Sequence, residues 1–126
     1  MATMHVELVS VERALWSGEA VAVFARTTEG ELGILPGHTP LLGALEPGWT
    51  VRIDREGGET LMVAVHGGFL SVRSGAVSIL AEMAEMSTDV DVARAKAALE
   101  KAQKDGADEA AANRARARLR AAGEAV

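Results

Sequence analysis

The chain changes its amino-acid usage sharply after Met86, and this change limits the folds that it can adopt. Residues 1–86 contain 11 of the 13 glycines and all 3 prolines, whereas residues 87–126 contain 14 alanines and every lysine. Alanine, lysine, glutamate and arginine favour helices, while valine-rich runs separated by glycine and proline favour strands and turns. The sequence therefore predicts a β body over residues 1–86 and an α-helical tail over residues 87–126.

Short apolar runs separated by turn residues fill the first part of the chain. Trp49, Val51 and Ile53 alternate with polar residues, as expected of a strand with one buried face. A second alternating run follows the glycine turn at residues 56–59, which suits a hairpin. Eight such runs are recognisable, at residues 4–11, 20–27, 32–35, 41–45, 49–54, 60–66, 69–72 and 76–81. Strands of this number and length predict a sandwich or barrel.

The tail predicts two helices that form a hairpin. Thr88 or Asp89 is placed to cap the first helix, which ends by Gly106, and Asp108 is placed to cap the second, which ends near Gly123. Each helix has one apolar stripe, formed in the first by Val92, Ala95, Ala98, Leu99 and Ala102 and in the second by Ala111, Ala112, Ala115, Leu119 and Ala122. Because both stripes are mostly alanine, we expect the hairpin to be attached only weakly.

Composition and spacing exclude several classes of function. The chain has no cysteine, which excludes disulfide scaffolds, thiolate zinc sites and cysteine nucleophiles. A net charge of −5 argues against a nucleic-acid partner. His5, His38 and His66 lie too far apart in sequence for a metal-ligand pattern, and no hydrolase serine motif is present. No apolar run approaches the roughly 18 residues of a membrane span. The sequence therefore predicts neither catalytic residues nor a metal site.

The segment Glu29–Leu42 is unusually dense in residues that fix the backbone. It reads Glu29-Gly30-Glu31-Leu32-Gly33-Ile34-Leu35-Pro36-Gly37-His38-Thr39-Pro40-Leu41-Leu42. Its glycines and prolines specify one backbone path, with apolar residues between them. Two interpretations are open at this point: a rigid crossover between strands, or a partly apolar surface that presents residues to a partner.

This segment closely resembles the signature loop of the epsilon subunit of bacterial F-type ATP synthase, whose chloroplast epsilon and mitochondrial delta counterparts are similar. Supporting matches lie at residues 9–13, 15–18, 67–72 and 77–82, so the resemblance covers residues 4–86 in order. The start around Trp16 and the short tail are most similar to actinobacterial members. The resemblance implies a β-sandwich of about ten strands over residues 1–86, followed by an antiparallel two-helix hairpin over residues 87–126.

The resemblance implies a non-catalytic rotor subunit. In this family the subunit lies in the central stalk, beside the gamma subunit and on the c-subunit ring, and couples proton-driven ring rotation to ATP synthesis in the alpha/beta catalytic head. It is peripheral to the cytoplasmic face of the cell membrane and is attached only through the complex. The implied contact loop for the c-ring and gamma consists of Glu29, Gly30, Glu31, Leu32, Gly33, Ile34, Leu35 and His38.

The resemblance also implies a regulatory tail. In the family the hairpin either packs on the sandwich or extends along gamma to the head and blocks ATP hydrolysis. Some bacterial members bind regulatory ATP through Ile/Leu-Asp-x-x-Arg-Ala, and this chain reads Val90-Asp91-Val92-Ala93-Arg94-Ala95. The implied ATP contacts are Glu82, Val90, Asp91, Arg94, Ala95, Arg114 and Arg118. The alternative is structural, with Asp91 at a helix N-terminus and paired to Arg94. No other cofactor is implied.

Composition and periodicity leave open one alternative for the whole chain. A small β-sandwich binding module with a helical interaction hairpin, unrelated to the synthase, would show the same alternation and the same alanine-rich tail. Only the resemblance of residues 29–42 argues against it.

Overall fold

The computed structural model describes residues 2–104, 106 and 108–126, which contain seven strands followed by two α-helices. The strands are β1 (Met4–Ser10), β2 (Ala14–Thr27), β3 (Gly30–Ile34), β4 (Leu41–Ala44), β5 (Thr50–Arg55), β6 (Thr60–Arg73) and β7 (Ala76–Met86). A short 3-10 turn at Ser87–Asp89 leads into α1 (Val92–Lys104), which is followed by α2 (Glu109–Ala121). The predicted order, a β body and then a two-helix tail, is confirmed.

The sheet closes on itself around one apolar core. Its strand order is β1-β7-β6-β5-β2-β3, with β4 added to β6. Strand β1 pairs in parallel with β7 and antiparallel with β2, so that five strands form a ring. Closure of a sheet removes its free edges. The fully buried side chains inside the ring include Val6, Leu8, Val23, Ile34, Val51, Ile53, Val63, Leu70 and Ile79.

The structure has fewer strands than the ten predicted because β2 and β6 are long, and each pairs along one edge with two successive strands. Strand β6 pairs through residues 60–64 with β5 and through residues 69–72 with β4. Val65 and Leu70 are five residues apart, so regular alternation would point them to opposite faces of the sheet. Both side chains are buried in the core, so the inward face of β6 changes between them. Gly67 and Gly68, with φ of +76° and +126°, lie at the change. Two runs that read as separate strands are therefore one.

Asp91 caps α1, and the predicted caps Thr88 and Asp89 are wrong. Asp91 Oδ1 accepts a hydrogen bond from the backbone N–H of Arg94 at 3.0 Å, which is the geometry of a helix N-cap. Thr88 and Asp89 lie instead in the preceding 3-10 turn, which moves the start of the helix towards the C-terminus. Among the described residues, neither helix has the length and apolar character needed to span a bilayer.

Helix α2 begins at its predicted cap and packs on β6. Asp108 Oδ1 accepts a hydrogen bond from the Ala111 N–H at 3.0 Å. Ala117 and Ala121 form a small buried cluster with Ala64 of β6. The predicted apolar stripe of α2 omitted both alanines, because α2 buries one face against α1 and a second face against the sheet. Small side chains allow the helix to approach the strand closely but remove little apolar area from water.

Candidate functional site

The acidic residues of the predicted contact loop lie at one end of the sheet. Glu29 is exposed in the turn between β2 and β3, where its N–H donates to Thr27 Oγ1 at 3.2 Å. Glu31 is exposed on β3, and its Oε1 lies 3.2 Å from Nη1 of Arg26 on the paired strand β2. Both carboxylates are thus available at the surface, and Glu31 has a cationic neighbour in the same chain.

The apolar residues of this loop are divided between the core and the surface. Ile34 is fully buried, and Leu32 packs against the core. A Cβ at Gly33 would lie 3.2 Å from Cε1 of Phe24, so this glycine permits close approach of the aromatic ring. Leu35 is 58% exposed. Leu32 and Ile34 therefore hold the loop in place, whereas Leu35 is available to a partner.

His38 lies in the tight turn that follows β3. Gly37 has a φ of +88°, a conformation that favours glycine. The His38 N–H donates to the carbonyl of Leu35 at 3.0 Å, and His38 Nδ1 lies 2.6 Å from the carbonyl oxygen of Thr39. The half-buried imidazole is therefore bound to its own turn.

An exposed apolar patch, formed by Leu42, Phe69 and Leu80, lies on the outer face of three neighbouring strands. These side chains are 71%, 53% and 53% exposed, respectively. Phe69 of β6 pairs directly with Leu80 of β7, and Leu42 lies on β4, which pairs with the same part of β6. The patch lines an open groove of about 610 Å³ whose polar lining includes His5, Glu7 and Arg73.

Sequence reasoning missed this patch, although the sequence contains a signal for it. Each member directly adjoins an apolar residue of the same strand: Leu41 beside Leu42, Leu70 beside Phe69, and Ile79 beside Leu80. Because successive side chains of a strand point to opposite faces, two apolar neighbours place one side chain in the core and one outside. Three such pairs on hydrogen-bonded strands predict an apolar outer surface.

A cleft of about 410 Å³ lies between the start of α1, the end of β7 and α2. It brings together four of the residues implied as ATP contacts, namely Asp91, Arg94, Ala95 and Arg118. Its other lining residues, which sequence reasoning missed, are Glu85, Asp89 and Ala98. The cleft therefore combines two arginines with three carboxylates.

Three implied ATP contacts do not line this cleft: Glu82, Val90 and Arg114. Glu82 is exposed beside Gly67, where the inward face of β6 changes. Glu85 is the β7 carboxylate in the cleft, because it pairs with Ala64 on the face of the sheet that α2 covers. The register of β6 and β7 determines this placement, and spacing along the sequence does not reveal it.

Hydrogen bonds in the cleft join α2 to the sheet. Glu85 Oε1 accepts a hydrogen bond from Arg118 Nε at 2.7 Å and lies 3.2 Å from His66 Nε2. Asp91 bonds the N–H of Arg94 as a cap, and the Arg94 guanidinium makes no ion pair with any other described residue. The structural alternative is thus correct that Asp91 lies at a helix N-terminus, while no ion pair joins it to Arg94.

His66 is the buried titratable group next to this cleft. Burial lowers the pKa of its imidazole, and the positive charges of Arg118 and Arg114 act in the same direction. The hydrogen bond to Glu85 and the negative charge of Glu85 raise the pKa, but they do not cancel the lowering. His66 is therefore neutral at pH 7. Within the described residues, no group of three or more metal-ligating side chains is positioned to hold a metal ion.

The β body matches a known family. A family model described as "ATP synthase, Delta/Epsilon chain, beta-sandwich domain" matches residues 3–87. The chain belongs to the ATP synthase delta/epsilon family. Its relatives include the ATP synthase epsilon chain of Streptomyces griseus, 54% identical over 120 residues that cover 95% of each chain. The epsilon chain of Mycolicibacterium vanbaalenii is 52% identical over 124 residues, 98% of each chain. These actinobacterial relatives confirm the predicted resemblance to the epsilon subunit.

Solved structures support the same family. A chain of the Euglena gracilis mitochondrial ATP synthase, in a structure of OSCP/F1/c-ring in rotational state 1, has a TM-score of 0.76 and 28% identity, covering 94% of this chain and 76% of that one. A chain of the Tetrahymena thermophila central stalk/c-ring structure has a TM-score of 0.57 at 18% identity and shows the fold alone. The predicted role as a rotor subunit of the F-type ATP synthase is confirmed, and a module unrelated to the synthase is not favoured.

Proposed function

We propose that this rotor subunit is non-catalytic and transmits torque by binding two partners at once. Its β body binds the gamma subunit and rests on the c-subunit ring, so that proton-driven rotation of the ring turns the stalk and drives ATP synthesis in the alpha/beta head. The observation that carries this proposal is the closed ring of strands bearing an exposed apolar patch. The subunit lies at the cytoplasmic face of the membrane and is attached there only through its partners.

The apolar patch is the surface that we assign to gamma. Phe69 and Leu80 are about half exposed on the sheet. Their burial by a permanent partner lowers the free energy of the complex, because apolar surface is removed from water. His38 and Leu42 belong to the same crossover segment, so the segment's second half contributes to this face. Polar residues at the other end of the segment, Glu29 and Glu31, suit polar loops of the c-ring that carry basic groups.

We assign residues 1–86 to the torque-transmitting body and residues 87–126 to a separate regulatory hairpin. The main core cluster is built from strand and loop residues between Met4 and Met86, without a contribution from either helix. Among the described residues, the apolar cluster between hairpin and body consists of Ala64, Ala117 and Ala121. A hairpin with so small an apolar attachment can leave the body once its polar contacts are exchanged, which is what a brake on ATP hydrolysis needs when it extends towards the head.

The assembly proposal is tested with a tagged copy of the chain in cells that make the rest of the synthase. Wild type should co-purify with gamma and with the alpha/beta head. Phe69→Glu places a charge in the centre of the patch and should reduce recovery of gamma more than tenfold. Val11→Glu is the matched control, because Val11 is 78% exposed and lies outside the patch. Equal recovery of gamma by both variants would remove the patch from the interface.

We propose that the cleft between α1 and α2 binds regulatory ATP and thereby stabilises the docked hairpin. The support is the convergence of Arg94 and Arg118 in one cleft, because guanidinium groups bind phosphate oxygens through paired hydrogen bonds. Arg94 has no competing ion pair among the described residues, whereas Arg118 would exchange Glu85 for phosphate.

Titration of ATP into the isolated subunit tests this second proposal. Arg94→Ala should weaken binding at least tenfold, since it removes a charged hydrogen-bonding group. Arg114→Ala is the matched control, because Arg114 lies on α2 but does not line the cleft. Binding that is negligible in all three proteins, or equally weakened in both variants, contradicts a nucleotide site in this cleft while leaving the rotor role intact.

A further inference from the structure

His66 lies on the face of β6 that α2 covers. Side chains two residues apart on a strand share a face, so Ala64 and His66 point the same way. Ala64 is fully buried against Ala117 and Ala121 of α2. The His66 side chain is only 5% exposed beside them. Undocking of α2 would therefore open this face of β6 and bring the imidazole into water.

The two nitrogens of the His66 imidazole have different surroundings. Nε2 lies 3.2 Å from Glu85 Oε1, the oxygen that also accepts a hydrogen bond from Arg118 Nε at 2.7 Å. Nδ1 is buried and has no hydrogen-bond partner among the described residues. The neutral tautomer with its proton on Nε2 satisfies the carboxylate. A second proton would have to sit on Nδ1, where no acceptor receives it.

The charges around His66 come from every element packed near it. Strand β7 contributes Glu85, and α2 contributes Arg114 and Arg118. The start of α1 and the turn before it contribute the charged lining of the adjoining cleft, namely Asp89, Asp91 and Arg94. A protonated His66 in the docked state would carry an unsatisfied buried N–H and a positive charge beside two arginines. Both features oppose protonation while α2 is docked.

We propose that His66 is a pH-sensitive latch, in which uptake of a proton by its buried imidazole releases α2 from β6 and shifts the hairpin from docked to free. The latch depends on the docking equilibrium of this chain alone. It therefore goes beyond the rotor role and would operate whether or not nucleotide binds in the cleft.

The direction of the effect follows from proton linkage. The pKa of His66 in the docked state lies below its ordinary value of 6.5, and exposure to water on undocking returns the pKa towards that value. Between these two values the undocked state binds more protons, so docking weakens as the pH falls below about 6.5 and stays constant above it. One such group changes the docked-to-free ratio by at most about tenfold between about pH 7.5 and about pH 5.5.

The absence of cysteine allows a direct measurement of docking. Spin labels on Ser78→Cys of β7 and Ala110→Cys of α2, both exposed positions, report the distance distribution between sheet and helix in the full chain. We expect the docked-to-free ratio taken from this distribution to fall several-fold between about pH 7.5 and about pH 5.5, a range above the ordinary pKa of carboxylates. His66→Gln retains a donor for Glu85 but does not titrate, so it should dock independently of pH. The control His5→Gln removes an exposed histidine and should respond as wild type does.

Two results would overturn the latch. The first is a distance distribution that does not change with pH in the wild-type chain, and the second is a pH response that persists in His66→Gln. If His66→Gln does not dock, the pKa of the imidazole is measured by NMR in wild type and in Ala117→Gln, whose side chain is too large for the buried site. The wild-type pKa should be the lower of the two, and equal values contradict the proposal.

Discussion

The guanidinium carbon of Arg120 lies 3.8 Å from the centroid of the Trp49 ring, which joins the last turn of α2 to the segment before β5. Arg120 Nη1 also donates a hydrogen bond to the carbonyl of Gly48. Together with the bond from Arg118 to Glu85, this contact places polar attachments on both sides of the alanine cluster. The hairpin is therefore fixed more by specific arginine contacts than by buried apolar area.

Arg120→Ala should loosen the hairpin without unfolding the β body. A cation–π contact and a hydrogen bond from a charged donor together contribute about 1–3 kcal/mol. Amide hydrogen exchange in α2 should accelerate accordingly, while exchange in the strands remains slow. Arg116→Ala is the matched control, because Arg116 bonds Glu109 and Asn113 of its own helix and makes no bond to the sheet among the described residues. Similar acceleration in both variants would assign the effect to helix propensity.

Gly68→Ala should destabilise the β body strongly. Gly68 has a φ of +126°, and a Cβ built there would overlap the carbonyl oxygen of Leu80 on the paired strand. Backbone displacement at a closed sheet should cost about 3 kcal/mol or more in the free energy of unfolding by urea. Gly58→Ala isolates the conformational part, because Gly58 also has a positive φ but no atom lies within 4 Å of its built Cβ. Its cost should be about 1–2 kcal/mol, and equal costs would show that the close approach is unimportant.

Glu31→Lys should weaken assembly and leave the isolated chain folded. Glu31 is exposed, and its ion pair with Arg26 is of the surface type, which contributes about 0–1 kcal/mol to stability. Reversal of its charge should reduce binding to isolated c-ring several-fold at low salt, with little change in the urea midpoint. Glu12→Lys makes the same charge change at the exposed turn between β1 and β2. A loss of folding in Glu31→Lys, or equal binding by both variants, would contradict the contact assignment.

Truncation after Ser87 should leave a folded β body that still assembles and supports coupled ATP synthesis. The main core loses no member, and Ala64 and His66 become exposed on the outer face of β6. Thermal unfolding should remain cooperative, with a lower midpoint. ATP hydrolysis by the complex should rise if the hairpin acts as a brake. A truncated chain that fails to fold would show that the hairpin is part of the core, and unchanged hydrolysis would contradict the brake.

The sequence was most informative where local chemistry acts within a few residues. The position of Asp108 before an alanine-rich run predicts a cap, and Asp108 caps α2. The sequence also predicts the first helix correctly but does not identify its cap, because Thr88, Asp89 and Asp91 are all suitable cap residues. The 3-10 turn at Ser87–Asp89 decided between them. Residue type limits the candidates for a cap, whereas the path of the chain before the helix selects one.

The candidate cleft was predictable in part. The run that contains Asp91 and Arg94 could be read from the sequence, because its members are neighbours on one helical turn. Glu85 and His66 could not, because their meeting depends on the register of β6 against β7, which places Glu85 opposite Ala64. At Gly67 and Gly68 the set of β6 side chains that points into the core changes. A strict alternation pattern does not include this change, so it cannot predict which residues face each other beyond the glycines.

The sequence by itself determined the division into a β body and a helical tail and the positions of most strands. These properties follow from backbone preferences and side-chain alternation, which act over a few residues. Only the tertiary structure decided that β6 is one strand with two buried faces, and that Glu85 links His66 to Arg118. The reason is physical: a contact between residues distant in sequence depends on how the closed sheet positions them, and no local preference specifies that.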